Sequence, residues 1–123
     1  MTRKPDERPT IKTLSKEREP LDIEFFQNET LRPILKMKND VIIEFFNSYI
    51  HHKKINWSPK SIEKKEEFIY QNLSKDNIFK IAIIHLIIGN FSLKEYLEYS
   101  TKSKEHNKRI WKMIQQRICS QLT

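Results

Sequence analysis

Turn-forming and cross-linking residues are scarce in this chain of 123 residues. It has one glycine, Gly89, and five prolines, which are too few for the many turns of an all-β protein. A single glycine also excludes the glycine-rich loops that bind phosphates or dinucleotides, and the Gly-x-Ser-x-Gly element of serine hydrolases. The lone cysteine, Cys119, has no second cysteine with which to form an internal disulfide. We therefore expect a helical protein.

Segments that would direct the chain into or through a membrane are also lacking. The longest apolar run, residues 78–91, is shorter than a bilayer span and lies among Asp76, Lys80 and Lys94. The N-terminus has no apolar stretch of the kind found in secretory signals. Together with the single cysteine, this predicts a cytoplasmic protein that does not insert into membranes.

Positive charge exceeds negative charge, most clearly at the C-terminal end. The chain has 23 Lys and Arg against 16 Asp and Glu, and residues 91–123 alone hold seven basic and three acidic side chains. Residues 1–20 combine three prolines with ten charged side chains, and such a segment buries too little apolar area to offset its ordering entropy. We predict a flexible charged arm over residues 1–20 and one helical bundle domain over residues 21–123.

The apolar run at residues 78–91 predicts a central helix that is buried on most sides and ends in a left-handed cap at Gly89. Ser92 and Glu95 then predict a capping box for a short helix over about residues 93–100. The last helix carries its apolar residues on one stripe: Ile110, Trp111, Ile114, Ile118 and Leu122.

The first long helix has two alternative starts, and it extends to about residue 52. If Thr30 is its N-cap, Pro33 lies in the first turn, where the missing N–H costs nothing. If the helix begins near Asp22, Pro33 should kink it. We favour a short turn at residues 22–28 followed by the main helix.

A second helix is predicted to begin with Ser58 as N-cap and Pro59 in the first helical position. Trp57 and Ile62 would then form a hydrophobic staple. Together the segments predict an all-α fold, a compact bundle of about four main helices around the buried central helix. Short connections favour antiparallel neighbours.

The four histidines are the side chains most able to carry catalysis or bind a metal. His85 lies in the most apolar helix, where we expect a buried imidazole with a structural role rather than a catalytic base. His51 and His52 are adjacent, and His106 has only its neighbour Glu105, so none has a spacing typical of metal ligands. We expect no catalytic residues, no metal site and no cofactor.

A candidate patch for an anionic partner lies in the last helix and consists of Lys104, Lys108, Arg109 and Lys112. Lys and Arg against phosphate would give salt-sensitive binding to RNA, and an exposed Trp111 would stack on a base. The alternative, which we favour, places Trp111 in the core with the lysines at its edge.

Four segments carry a resemblance, namely residues 26–36, 39–40, 88–96 and 114–118. The most distinctive is Gln-Asn-Glu-Thr-Leu-Arg-Pro-Ile, at residues 27–34. Together they resemble a family of small helical bacterial proteins of uncertain function, some of which carry a glyoxalase label. The resemblance covers roughly residues 24–122 and implies a helical fold. It transfers no site, because the chain lacks the strand pattern and metal ligands of glyoxalases, and Asn90 stands where family members often have His.

A second set of candidate residues, Gln27, Asn28, Arg32 and Asp40, lies near the start of the first long helix. In a structural role, which we favour, Arg32 would pair with Asp40 or Glu29, or orient the kink through backbone carbonyls, since a buried Arg needs a fixed partner. In a functional role, these side chains would line a groove for a partner helix or peptide.

These features favour a non-enzymatic helical interaction protein that binds another protein through a helical face. Aromatic side chains, which often anchor interfaces, motivate this hypothesis: Phe25, Phe26, Trp57, Tyr70, Tyr96, Tyr99 and Trp111. The alternative is a basic RNA-binding or ribosome-associated accessory protein, and an enzyme built round His85 is the third hypothesis. Self-association to cover an apolar face stays open, and the sequence does not identify a partner.

Overall fold

Helices form most of the chain that the structure describes. The computed structural model describes residues 19–122, and these residues contain no β-strand, so the predicted all-α fold is confirmed. The helices are α1 (Glu19–Phe26), α2 (Arg32–Met37), α3 (Asn39–His52), α4 (Ile62–Glu67), α5 (Asn77–Ile88), α6 (Leu93–Thr101) and α7 (Ser103–Cys119), with π-helical segments at Gln27–Leu31 and Phe68–Asn72 and a 3₁₀ turn at Leu73–Lys75. The predicted arm lies outside the described residues except for Glu19 and Pro20, with which α1 begins.

Helix α1, the first π segment and α2 follow one another without a break. The Arg32 N–H donates to the carbonyl of Gln27, five residues back, and Pro33 has no N–H to donate. A wide π turn ahead of the proline therefore takes up the irregularity that Pro33 imposes. The favoured prediction, a turn at residues 22–28 and a helix start at Thr30, is wrong.

The second predicted helix begins later than expected. Ser61 is the N-cap of α4, and its Oγ accepts a hydrogen bond of 3.2 Å from the Lys64 N–H. Ser58 and Pro59 lie in the preceding turn. With Ser61 as the N-cap, Trp57 and Ile62 no longer occupy the two positions of the predicted staple, and the Ile62 side chain is exposed.

The ends of the helices around α5 differ in part from the prediction. Gly89 has a φ of −61°, so the predicted left-handed cap is wrong. Within the described chain a left-handed residue follows α3 instead: Lys54 has a φ of 55°, and the Ile55 N–H donates to the Ile50 carbonyl at 3.1 Å. This pattern is a Schellman motif. The capping box of residues 92–95 that opens α6 is confirmed.

The last helix lies at the centre of the fold. Helix α7 contacts α3, α5, α6 and both π segments. Its predicted stripe is buried at Ile110, Trp111, Ile114 and Ile118, whereas Leu122 lies beyond the end of the helix and is half-buried. The Trp111 ring therefore belongs to the core, as we favoured, and α7 connects the elements of the bundle.

The second π segment exposes a backbone group that α7 uses. The Leu73 N–H donates to the Phe68 carbonyl, five residues back, so the Ile69 carbonyl loses its usual α-helical donor. The buried Gln115 donates from Nε2 to this carbonyl at 3.0 Å and to the Ser74 Oγ at 2.9 Å. A side-chain amide thus satisfies a buried backbone acceptor and fixes α7 against the segment.

Candidate functional site

The most apolar helix is exposed on one side. Ile78 is 84% exposed and Ile81 is 58% exposed, and Ala82 and His85 lie on the same side. The prediction that α5 is buried on most sides is wrong, because its neighbours α3 and α7 pack against the opposite side.

A groove runs between α3 and α5 beside these exposed side chains. Its deeper part has a volume of about 310 Å³ and is lined by apolar groups that include Phe45, Tyr49, Ile78, Phe79 and Ala82. A shallower depression of about 350 Å³, lined by residues of α3 alone, adjoins it at Phe45 and extends past Val41. From residue 40 to residue 53 a helix rises about 20 Å, or between three and four turns. The name α3–α5 groove is used below for these lining residues together with Ile81, which lies beside them on the exposed side of α5: Val41, Phe45, Tyr49, Ile78, Phe79, Ile81 and Ala82.

Aromatic rings and one short hydrogen bond hold the floor of the groove. The ring of Phe79 lies 5.4 Å from that of Phe45 and 4.6 Å from that of Tyr49. The Tyr49 hydroxyl donates to an Asp76 oxygen at 2.6 Å, and the other oxygen accepts from the Phe79 N–H at 3.1 Å as the N-cap of α5. The Tyr49 bond lowers the pKa of Asp76. Burial, together with this bond, raises the pKa of Tyr49 to about 12.

The two ends of the groove differ in charge. Asp40 and Glu44 line the shallower part, near the start of α3. Lys53 and Asp76 line the other end, with His52 beside them. The positive charge of Lys53 and the negative charge of Asp76 offset each other there. One end is therefore acidic, which favours a basic group on whatever binds there.

The basic residues predicted in α7 face two directions. Lys104, Lys108 and Lys112 are exposed at four-residue spacing, so they form one charged stripe. Arg109 is half-buried, and its Nη1 donates to the Gln27 Oε1 at 2.7 Å. Arg109 therefore points toward the first π segment, on the side of α7 where Lys112 also lies.

The predicted polar cluster divides in the structure. Arg32 donates from Nε to the Asn28 Oδ1 at 2.8 Å, so an amide and not the predicted carboxylate orients its guanidinium. Asp40 lies apart at the start of α3, where it accepts from the Asn39 Nδ2 at 3.3 Å. Gln27, Asn28 and Arg32 stay together, and Asp40 belongs to the acidic end of the α3–α5 groove.

Members of the two predicted sets meet in one cleft, which neither set predicted by itself. The cleft has a volume of about 450 Å³ and is lined by Gln27, Arg32, Arg109, Lys112, Met113 and Gln116. Three cations face it, and no carboxylate within residues 19–122 lines it. We call these six residues the basic cleft.

His106 is a buried histidine, whereas His85 is not. His85 is exposed, with its Nδ1 2.9 Å from the Ile81 carbonyl, so the prediction of a buried imidazole there is wrong. His106 is 3% exposed, its ring lies 4.4 Å from the Phe26 ring, and its Nδ1 has no hydrogen-bond partner in the described part of the chain. Burial, with a further contribution from Arg109, lowers the pKa of His106 to about 4.

Metal ligands and a reactive thiol are the remaining candidates for chemistry in residues 19–122. No group of three or more His, Cys, Asp or Glu side chains in this range is placed to hold a metal ion. Burial raises the pKa of the Cys119 thiol, which disfavours the nucleophilic thiolate. No helix in the same range is long and apolar enough to cross a bilayer.

The aromatic rings considered as interface anchors have different surroundings. Three of them lie in the core: Phe26, Tyr99 and Trp111. Phe25 and Trp57 are half-buried, and Tyr70 and Tyr96 are exposed. Lys80 Nζ lies 5.5 Å from the Trp111 ring, which further excludes this ring from stacking on a base.

The exposed aliphatic side chains of the α3–α5 groove were missed by the sequence analysis. Almost every position of α5 is apolar, so hydrophobic periodicity could not separate its covered side from its exposed side. The available signal was the small Ala82 and the polar His85, which share the exposed side.

Comparison with known proteins gives no relative for this chain. No protein-family model matches it, and no curated protein or solved structure is significantly similar to it. The resemblance to small helical bacterial proteins stays a prediction, and the function has to be argued from the groove and the cleft.

Proposed function

We propose that this chain is a non-enzymatic interaction protein that binds an amphipathic helix of another protein in the α3–α5 groove. The observation that carries the proposal is the exposure of Ile78 and Ile81 beside an apolar groove. Contiguous apolar surface of this kind is typical of sites that bind other proteins. We further propose that binding takes place in the cytoplasm.

The dimensions of the groove favour a helix as the bound element. The groove and the adjoining depression together extend along α3 from residue 40 to residue 53, and an amphipathic helix laid along them would place residues i, i+3, i+4 and i+7 against this surface. Ala82, between Ile78 and Ile81 on one side and His85 on the other, has a small side chain that permits close approach of a partner backbone. Asp40 and Glu44 at the acidic end favour a partner helix with Lys or Arg at that end.

A second copy of this chain is the alternative occupant, since a two-fold dimer would bring the exposed Ile78 and Ile81 of both copies together. We favour a different protein, because the acidic end of the groove favours a partner helix that carries basic residues.

The test compares Ile81→Glu with Leu97→Glu as a matched control. Ile81 is 58% exposed and lies on the same side of α5 as the groove residues Ile78 and Ala82, whereas Leu97 is 57% exposed and lies in α6. Tagged wild-type protein and both variants are purified from the native cell in the presence of nuclease. We expect at least one protein to be retained by the wild type and by Leu97→Glu, and to fall about tenfold or more with Ile81→Glu.

A photo-crosslinking residue at position 82 then reports whether the retained protein touches the groove. We expect the cross-linked peptide to be an amphipathic helix with a basic end. Equal retention by both variants would overturn the proposal, as would a wild-type dimer that becomes monomeric only with Ile81→Glu in sedimentation. Circular dichroism confirms that both variants are folded.

A second candidate is an RNA-binding or ribosome-associated role for the lysine stripe. The exposed, regularly spaced Lys104, Lys108 and Lys112 favour it. Binding of this kind weakens steeply with salt. The nuclease step distinguishes the two candidates, since partners held through RNA are lost from all variants, including the wild type.

A further inference from the structure

We propose that the basic cleft is a binding site for a compact anion that carries two or more phosphate groups. This inference goes beyond the proposed function, because the cleft and the α3–α5 groove share no lining residue. It assigns a role to Arg32, Arg109 and Lys112, which protein binding in the groove does not use.

The two guanidinium groups are oriented before any ligand binds. Gln27 accepts from Arg109 Nη1 at 2.7 Å, and Asn28 accepts from Arg32 Nε at 2.8 Å. Each of these hydrogen bonds uses one of the five N–H donors of the arginine, so the other donors can bind an anion. Orientation by a second side chain lowers the entropy lost on binding.

The charge of the cleft is uncompensated by the residues that line it. Arg32, Arg109 and Lys112 bring three positive charges, and the remaining lining groups within the described chain are two amides and Met113. Like charges held together repel one another, so an anion that enters between them removes that cost as well as forming new bonds.

The lining also restricts the kind of anion. Arg binds phosphate oxygens through two parallel N–H groups, and Lys acts on them as a point charge. A single carboxylate carries too little charge to satisfy three cations. Among the described residues, Met113 is the one apolar side chain in the lining and no aromatic ring lines the cleft, so these residues offer no surface on which a nucleobase would stack. The volume of about 450 Å³ lies within the range of small-molecule sites.

Titration calorimetry with tripolyphosphate tests the proposal in the full chain. The matched pair is Lys112→Gln and Lys108→Gln, which remove the same charge one helical turn apart; Lys112 lines the cleft and Lys108 does not. We expect Lys112→Gln to weaken binding about tenfold, and Lys108→Gln to weaken it less than about twofold. Arg109→Lys keeps the charge but loses the oriented fork, and we expect it also to weaken binding.

Three other outcomes would contradict anion binding in the basic cleft. No heat of binding from the wild type at millimolar tripolyphosphate would overturn the proposal, as would equal losses in the Lys108 and Lys112 variants. Because Lys112 belongs to both the lysine stripe and the basic cleft, a parallel titration of the wild type and Lys108→Gln with a short single-stranded RNA reports on the stripe. If RNA binds while tripolyphosphate does not, the anion partner belongs to the stripe and the cleft proposal fails. Both lysines are exposed, so unchanged melting curves serve as the folding control.

Discussion

Helices α5 and α7 differ in opposite ways from what their compositions suggest. Helix α5 is the more apolar of the two, yet Ile78 and Ile81 project into solvent. Helix α7 is rich in charge, yet Ile110 and Ile114 on its narrow stripe are fully buried. Hydrophobicity summed over a helix therefore does not decide how much of it is covered. The number of neighbouring helices decides this, and α7 has the more of them.

The difference has consequences for where function resides. The charged face of α7 is exposed while its stripe builds the core, so truncation of the stripe should destabilise the protein. The exposed side of α5 contributes little to the core, and its apolar residues are available for a partner.

Truncating one isoleucine in each helix is the strongest test of this difference. Ile114→Ala removes a fully buried side chain and should lower the free energy of unfolding by about 4 kcal/mol, through lost burial and the cavity left behind. Ile81→Ala should change it by less than about 0.5 kcal/mol. Urea unfolding followed by circular dichroism measures both. Comparable losses in the two variants would show that α5 is covered on both sides.

The histidines extend the comparison to pH. In the unfolded chain His106 has its ordinary pKa of 6.5, whereas in the folded protein burial lowers the pKa of His106 to about 4. The unfolded state thus binds more protons between these values, and stability falls as the pH falls through this window. The pKa difference bounds the loss at about 3 kcal/mol. We expect His106→Leu to flatten this dependence when unfolding is measured from pH 7 to pH 4.

His85→Gln is the matched control, because His85 lies exposed on α5. It should leave the pH dependence of unfolding as it is in the wild type. If the free energy of unfolding lost its pH dependence in His85→Gln, or kept it in His106→Leu, His106 would not be the group responsible. Asp76, whose pKa is lowered below its ordinary value of 3.8, loses its contribution to stability only as the pH falls below about 4, outside this window.

The smallest expected effect concerns the start of each helix. Helix α5 has Asp76 as a side-chain N-cap that also accepts from Tyr49, whereas the N-cap of α7, Lys102, has no side-chain capping bond. Asp76→Ala removes the cap and the Tyr49 partner, and should cost about 2 kcal/mol. Asp76→Asn keeps an acceptor in place and should cost about half as much. Thermal melts at pH 7 compare the two, and equal costs would mean that only the charge matters.

Local patterns in the sequence predicted much of the fold. The scarcity of glycine and proline indicated helices, the stripe on α7 indicated its buried side, and the residues at 92–95 formed the expected capping box. Predictions failed where a short stretch of sequence was compatible with more than one local structure. Pro33 is compatible with a first turn or with a π turn, and Ser58 and Ser61 are both suitable N-caps.

The candidate sites were predictable only in part. The residue types of the basic cleft were identified, but as two unrelated sets, because Gln27 and Arg109 are 82 positions apart in the chain. The α3–α5 groove was not identified, because it depends on the spacing of two helices that the Tyr49–Asp76 bond fixes. His106 was missed as the buried histidine because charged residues surround it in the sequence.

By itself, the sequence determined that this chain is helical and which side of α7 is buried, since both follow from residue spacing within a turn or two of helix. Only the tertiary structure decided that one side of α5 stays exposed, that His106 is enclosed, and that three cations meet in a cleft. Such outcomes depend on which distant segments pack together. Burial and charge proximity are properties of those pairs of segments, and no short window of sequence contains both members.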